Sequence, residues 1–281
     1  MRWKGRQTST HVDDRRSQRG KVIGGSIGVG TIILFIAYSL LTGEAPTELL
    51  QQAPSPQQNT QQASDKNNEL AEFSKVVFKD TEDVWNKVFS EQLNGRYTYP
   101  TLVIFSGRTQ AACGMASAAT GPFYCPADRK VYVDLNFFRD LKRRFGASGD
   151  FAIAYIIAHE VGHHVQNLMG ITDQVHRMRR RLSQKEYNKL SVKLELQADY
   201  LAGVWAHHIE KMKHVLNEGD IEEAINAANS VGDDRLQKRH QGYVVPDAFT
   251  HGTSEQRMRW FVKGFKSGDI RGGDTFNTNN L

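Results

Sequence analysis

Five residues near the middle of the chain, His159-Glu160-Val161-Gly162-His163, combine two imidazoles and a carboxylate at a spacing suited to one divalent ion. On a helix, residues four apart project from one face a turn apart, so His159 and His163 can each offer that ion a nitrogen. Glu160 sits about 100° round the helix, close enough to reach a water beside the metal without ligating it. His-Glu-x-x-His on a helix is the pattern of a zinc site built for hydrolysis. The preceding run, Phe151 to Ala158, is apolar apart from the Tyr155 hydroxyl, so the helix is expected to be buried on nearly every side. Buried histidines and glutamates need partners; a metal supplies one, and a packed pair of core histidines is the plainer alternative.

A hydrolytic zinc needs a third protein ligand and an open position. Glu195-Leu196-Gln197-Ala198-Asp199 begins 32 residues after His163, and its two carboxylates, four apart, share a face inside an apolar run. Carboxylates turned to a core are costly unless they meet a metal, a cation or an imidazole N–H. Glu195 would then complete a His2Glu site for one Zn2+ per chain, and Asp199 would accept the free N–H of a ligand histidine. The two roles can be exchanged on spacing alone, and an exposed face on which both pair with neighbours such as Lys193 is the bland alternative.

These residues, read together, resemble a family. His159-Glu160-x-x-His163 with Glu195-x-x-x-Asp199 is similar to the glutamate-zincin plan. Cys113-Gly114-Met115, Pro122-Phe123-Tyr124-Cys125-Pro126, Val131-Tyr132-Val133-Asp134-Leu135 and His251-Gly252-Thr253-Ser254-x-Gln256-Arg257 resemble the bacterial neutral zinc metallopeptidase family, over about residues 69 to 268. The resemblance implies a zincin-like fold, a single membrane anchor, Glu195 as ligand and Asp199 as the residue that orients a ligand histidine. It also implies that His251 and Arg257 steady the transition state, Tyr200 being a further donor to weigh. The expected chemistry is peptide hydrolysis, with Glu160 as general base for a zinc-bound water. A non-catalytic zinc-fold binding protein and an amidohydrolase acting on cell-wall peptide are the rival functions, and an intact Glu160 speaks against the first.

The elements that must hold these residues follow from pattern and charge. Lysines and arginines outnumber aspartates seven to two in residues 1–21, which accounts for the whole net charge of +5. The excess stands directly before an uncharged segment, residues 22–43, long enough as a helix to span a hydrocarbon core of about 30 Å. That is a membrane-topology signal and no nucleic-acid footprint. It predicts a cytoplasmic tail at 1–21, a retained anchor at 22–43 with a cleaved signal peptide as competitor, and everything downstream on the extracytoplasmic side, as in a bacterial inner-membrane protein. Residues 44–68, rich in Gln, Pro and Ser, read as a disordered linker, and residues 269–281 as a polar tail.

The body between them is α+β and mostly helical, with a small sheet on its N-terminal side. Strands are expected at 101–105 and 130–135, the second available to pair with an extended peptide substrate. A loop at 107–126 separates them, and helices are expected near 69–93, 137–145, 150–167, 185–213, 219–230 and 254–265. Cys113 and Cys125, both beyond the apolar segment, read as a disulfide in an oxidising compartment. Free thiols are the alternative; metal ligation ranks last, because the spacing is not that of a zinc finger. His164, His176, His207, His208 and His214 read as bystanders, and Trp85, Trp205 and Trp260 as packing.

Overall fold

The computed structural model describes residues 1–16, 57–117, 120–145, 149–278 and 280–281. A four-stranded sheet, in order β1-β2-β6-β5, is built from Val12–Asp14 (β1), Thr101–Phe105 (β2), Phe123–Cys125 (β5) and Lys130–Asp134 (β6). β1, β2 and β6 run parallel, and β5 returns antiparallel along β6. Both faces of β2 and β6 are covered, as their nearly continuous apolar sequence requires. Arg108–Ala111 (β3) and Gly114–Ser117 (β4) form a separate hairpin, tied to the end of β5 by the Cys113–Cys125 disulfide. The expected loop at 107–126 therefore carries three short strands. The strands are only three or four residues long, and pairing together with the disulfide sets them in place. β6 is flanked on both sides, so the edge strands of the sheet are β1 and β5 and not the strand expected to receive a substrate.

Helices make up the rest: Gln57–Leu93 (α1), Leu135–Phe145 (α2), Asp150–Leu168 (α3), Ile171–Met178 (α4), Gln184–Lys213 (α5), Asp220–Ser230 (α6), Asp233–Gln241 (α7) and Ser254–Ser267 (α8). α3 is buried almost throughout, as its apolar run demands. Its first turn has no side-chain cap of its own; the Glu223 carboxylate on α6 accepts from the Phe151 N–H at 2.9 Å instead. α5 and α8 each begin with a capping box, Ser183 with Glu186 and Thr253 with Gln256. α5 and α8 meet at glycines: a Cβ on Gly264 would stand 2.0 Å from the Tyr200 carbonyl, and one on Gly203 would stand 2.1 Å from that of Phe261. Trp85, Trp205 and Trp260 are core residues, as read from the sequence.

Three expectations about the chain's organisation change. Residues 1–15 are no free tail; they form one compact unit with residues 70–281, and residues 16–69 form another. Met1 and Trp3 are buried, the Trp3 indole donates to Asp150 at 3.1 Å, and Val12 pairs with Leu102. Second, α1 begins at Gln57, inside the segment expected to be linker. Third, the C-terminal tail is ordered against α5. Ile270–Gly273 is a 3-10 turn, the Thr275 hydroxyl donates to the Lys193 carbonyl at 2.6 Å, and the Lys193 ammonium donates to the Phe276 carbonyl at 2.8 Å. The proposed anchor at 22–43 lies outside the described residues, and among the described residues no helix is long and apolar enough to cross a membrane.

Candidate metal centre

α3 and α5 cross where Gly162 meets Ala198. A Cβ at 162 would lie 3.1 Å from the Ala198 carbonyl and 3.3 Å from its Cα, so glycine is what lets the two backbones approach. The crossing sets His159 and His163 against Glu195 and Asp199. Donor atoms of His159, His163 and Glu195 all lie within 4.8 Å of one another, the one such cluster among the described residues. His159 Nε2 is 3.2 Å from Glu195 Oε2, and His163 Nε2 is 3.5 Å from Glu195 Oε1. A tetrahedral ion with ligand bonds of about 2.1 Å holds its ligands about 3.4 Å apart. The three side chains therefore fit zinc, and spacing alone no longer leaves Glu195 and Asp199 interchangeable.

Asp199 sits behind His159, completely buried, with Oδ1 2.8 Å from His159 Nδ1. It also accepts the Tyr155 hydroxyl at 2.5 Å and a two-pronged hold from Arg257, whose Nε and Nη2 lie 2.8 Å and 3.0 Å from its two oxygens. Burial alone would raise the Asp199 carboxyl, but Arg257 and His159 bring it down to about 2. Burial likewise opposes charge on His159, yet Asp199 raises its imidazole to about 10 in the metal-free protein. The Arg257 guanidinium is thus committed to Asp199, and the Tyr200 hydroxyl turns away to the Asp269 carbonyl at 2.6 Å. Lys193 is likewise engaged elsewhere, with Phe276.

Glu160 is buried beside the ligands and opens on a cleft of about 460 Å3. Burial raises its pKa, with the two histidines and the Tyr124 main-chain amide of β5 pulling it partly back. A carboxylate tuned upward in this way is suited to taking and returning a proton. The cleft runs along β5 and its approach, with Pro122, Phe123 and Tyr124 on one side and Leu194, Val231 and Leu236 on the other. Its walls are mostly apolar.

His251 lies at the same cleft. Its loop is gathered by Asp233, whose Oδ2 accepts the main-chain N–H groups of Thr250, His251 and Gly252 at 2.7, 2.6 and 3.1 Å. His251 Nδ1 has the Thr250 hydroxyl at 2.9 Å and Asp233 Oδ1 at 3.4 Å, so Nε2 is the nitrogen not engaged by this loop. The His251 side chain is half exposed, and the Glu195 and Asp233 carboxylates raise its pKa.

The remaining histidines sort mostly as expected. His164 turns to the sheet side, its Nε2 donating to the Thr98 carbonyl at 2.7 Å while Nδ1 accepts the Tyr124 hydroxyl at 3.0 Å; burial brings it down to about 4. His207 and His208 bond the Phe265 and Gly268 carbonyls, and His214 is exposed. His176 is exposed and reaches the rim of the cleft. Sequence reasoning passed over Tyr155, Gln166, Gln197 and Asp233. Tyr155 and Gln166 stand four before His159 and three after His163, spacings that could have placed them on the ligand face.

Comparison with known proteins agrees with this geometry. The model of the family described as "Putative neutral zinc metallopeptidase" matches residues 1–276, more of the chain than the 69–268 expected. The Escherichia coli (strain K12) protein printed as "Uncharacterized protein YpfJ" is 48% identical over 286 residues, 98% of this chain and 99% of its own length. "Uncharacterized protein Rv2575" of Mycobacterium tuberculosis (strain H37Rv) is 41% identical over 195 residues, 66% of this chain and 65% of its own. No solved structure matches.

Proposed function

The chain belongs to the family of putative neutral zinc metallopeptidases, and from that membership we propose that it is a zinc-dependent endopeptidase working in an oxidising compartment at a membrane. The observation that carries this reading is the fit of His159, His163 and Glu195 to a tetrahedral ion with the Glu160 carboxylate beside them. A zinc ion held by those three residues supplies Lewis acidity toward a carbonyl and a water.

The chain's own residues account for the rest. An extended peptide lies beside the edge strand β5, where the apolar cleft receives its side chains. Glu160 takes the proton of the attacking water and passes it to the leaving amine. Asp233 orients His251, which donates from Nε2 to the oxygen on which charge develops. Arg257 acts from behind, keeping Asp199 ionised against His159. The Cys113–Cys125 disulfide supports the oxidising compartment, and the apolar run at 22–43 supports the membrane. Because β1 belongs to the sheet, residues 1–15 and the body occupy the same side.

Full-length protein in detergent, loaded with zinc and given an unfolded protein substrate, tests the reading. Wild type should cleave it, and Glu160→Gln should bind zinc equally while losing about 10²-fold or more in rate. Equal rates for the two zinc-loaded proteins would overturn the assignment.

A further inference from the structure

The second nitrogen of each candidate ligand ring meets a different partner. His159 Nδ1 faces the Asp199 carboxylate, whereas His163 Nδ1 is 2.8 Å from Gln166 Oε1, a neutral amide. The Gln166 amide nitrogen donates to the Leu194 carbonyl at 2.7 Å and to Gln197 Oε1 at 3.0 Å. Gln197 in turn donates to the Gly273 carbonyl at 2.9 Å. Gln166 is fully buried and Gln197 nearly so, and two amides out of water need these bonds.

The direction of the chain is set from its far end. A main-chain carbonyl only accepts, so Gly273 requires the NH2 of Gln197 to face it, which turns Oε1 of Gln197 to Gln166. Leu194 imposes the same choice on Gln166. Oε1 of Gln166 is then left for His163, which donates from Nδ1 and keeps the lone pair of Nε2 for the site. The same side chain grips the carbonyl of the residue just before Glu195, so it sets one ligand ring against the backbone of another ligand.

We propose that Gln166, backed by Gln197 and the ordered C-terminal segment at Gly273, is a positioning residue for the metal: it fixes the His163 tautomer and joins His163 to Glu195. This rests on the reading that the site holds zinc.

The test uses the full-length protein as wild type, Gln166→Met, Gln166→Glu and Gln197→Met. Zinc affinity is read by competition with a chromophoric chelator, and the His163 ring by histidine 1H–15N NMR of the zinc-free protein. Gln166→Met should weaken zinc binding about 10- to 100-fold and shift the His163 ring signals, since it removes the partner that orients a ligand. Gln166→Glu keeps an acceptor for His163 but loses the donor to the Leu194 carbonyl, so it and Gln197→Met should both fall between wild type and Gln166→Met. Wild-type affinity in Gln166→Met with an unshifted His163 signal would overturn the proposal while leaving the zinc reading intact. If Gln166→Met does not fold, wild-type affinity and an unshifted ring in Gln197→Met overturn it instead. A wild-type protein that takes up no zinc would defeat the zinc reading, and the proposal with it.

Discussion

On the side of α3 that faces α5, His159 and His163 meet carboxylates and an amide oxygen; on the side that faces the sheet, His164 meets a main-chain carbonyl and a phenol. The side chains are of one type and the backbone is one helix, yet the surroundings drive them apart. Asp199 raises His159 to about 10, and burial without a carboxylate lowers His164 to about 4. A histidine becomes a ligand through its neighbours. Here they sit on α5, brought close by Gly162, while the neighbours of His164 come from β5 and the chain just before β2.

Substitutions can test whether the two sides are that distinct. The largest separation is expected from His163→Ala, which should cost zinc affinity by orders of magnitude while chelator-treated protein melts close to metal-free wild type. Asp199→Ala leaves the Arg257 guanidinium buried without a counter-charge and should destabilise by about 3–5 kcal/mol in denaturant titrations. Removing the disulfide with Cys113→Ser and Cys125→Ser should cost about 3 kcal/mol and loosen β5 ahead of the helices, visible by hydrogen exchange. His164→Ala should cost about 1–3 kcal/mol, because the Thr98 carbonyl and the Tyr124 hydroxyl lose a buried partner, yet bind zinc as wild type does. A loss of zinc in that variant would erase the contrast.

The smallest effect is a pH dependence at the rim. Burial alone would raise Asp233, but His251 and three main-chain amides hold it below its usual value. Its stabilising contribution is therefore present above about pH 4 and lost as pH falls through the lowered folded value. Asp233→Asn should flatten the loss of stability below pH 4 in urea unfolding at stepped pH.

The ligand side was legible in part, since four-residue intervals put His159 with His163 and Glu195 with Asp199 on one face each, while the division of roles between the two carboxylates came from the family resemblance. Cysteine placement likewise revealed the disulfide. The parts not legible depend on contacts between distant segments. Val12-Asp13-Asp14 has no apolar alternation, and only pairing with β2 makes it a strand. The residues from Gln57 to Asn68 are polar all round and carry no helical stripe, yet continue the helix that the apolar residues after Leu70 begin. The Gly-rich C-terminal segment looks free until Gln197, Lys193 and Tyr200 are seen to bond it. Gln166 was missed for a different reason. A buried amide carries no charge to attract notice, and its function lies in which way it points.

The first strand has a practical consequence for how the protein can be cut. Starting a soluble version at residue 69 would remove β1 and strip an edge from the sheet that supports α3. The better excision is internal. The Arg16 guanidinium already touches Asn67 and Asn68, so deleting residues 17–66 and splicing residue 16 to Asn67 by a short Gly/Ser bridge would spare the strand and dispense with the greasy stretch. Residues 12–14 thus belong in any shortened version that is to keep the sheet whole.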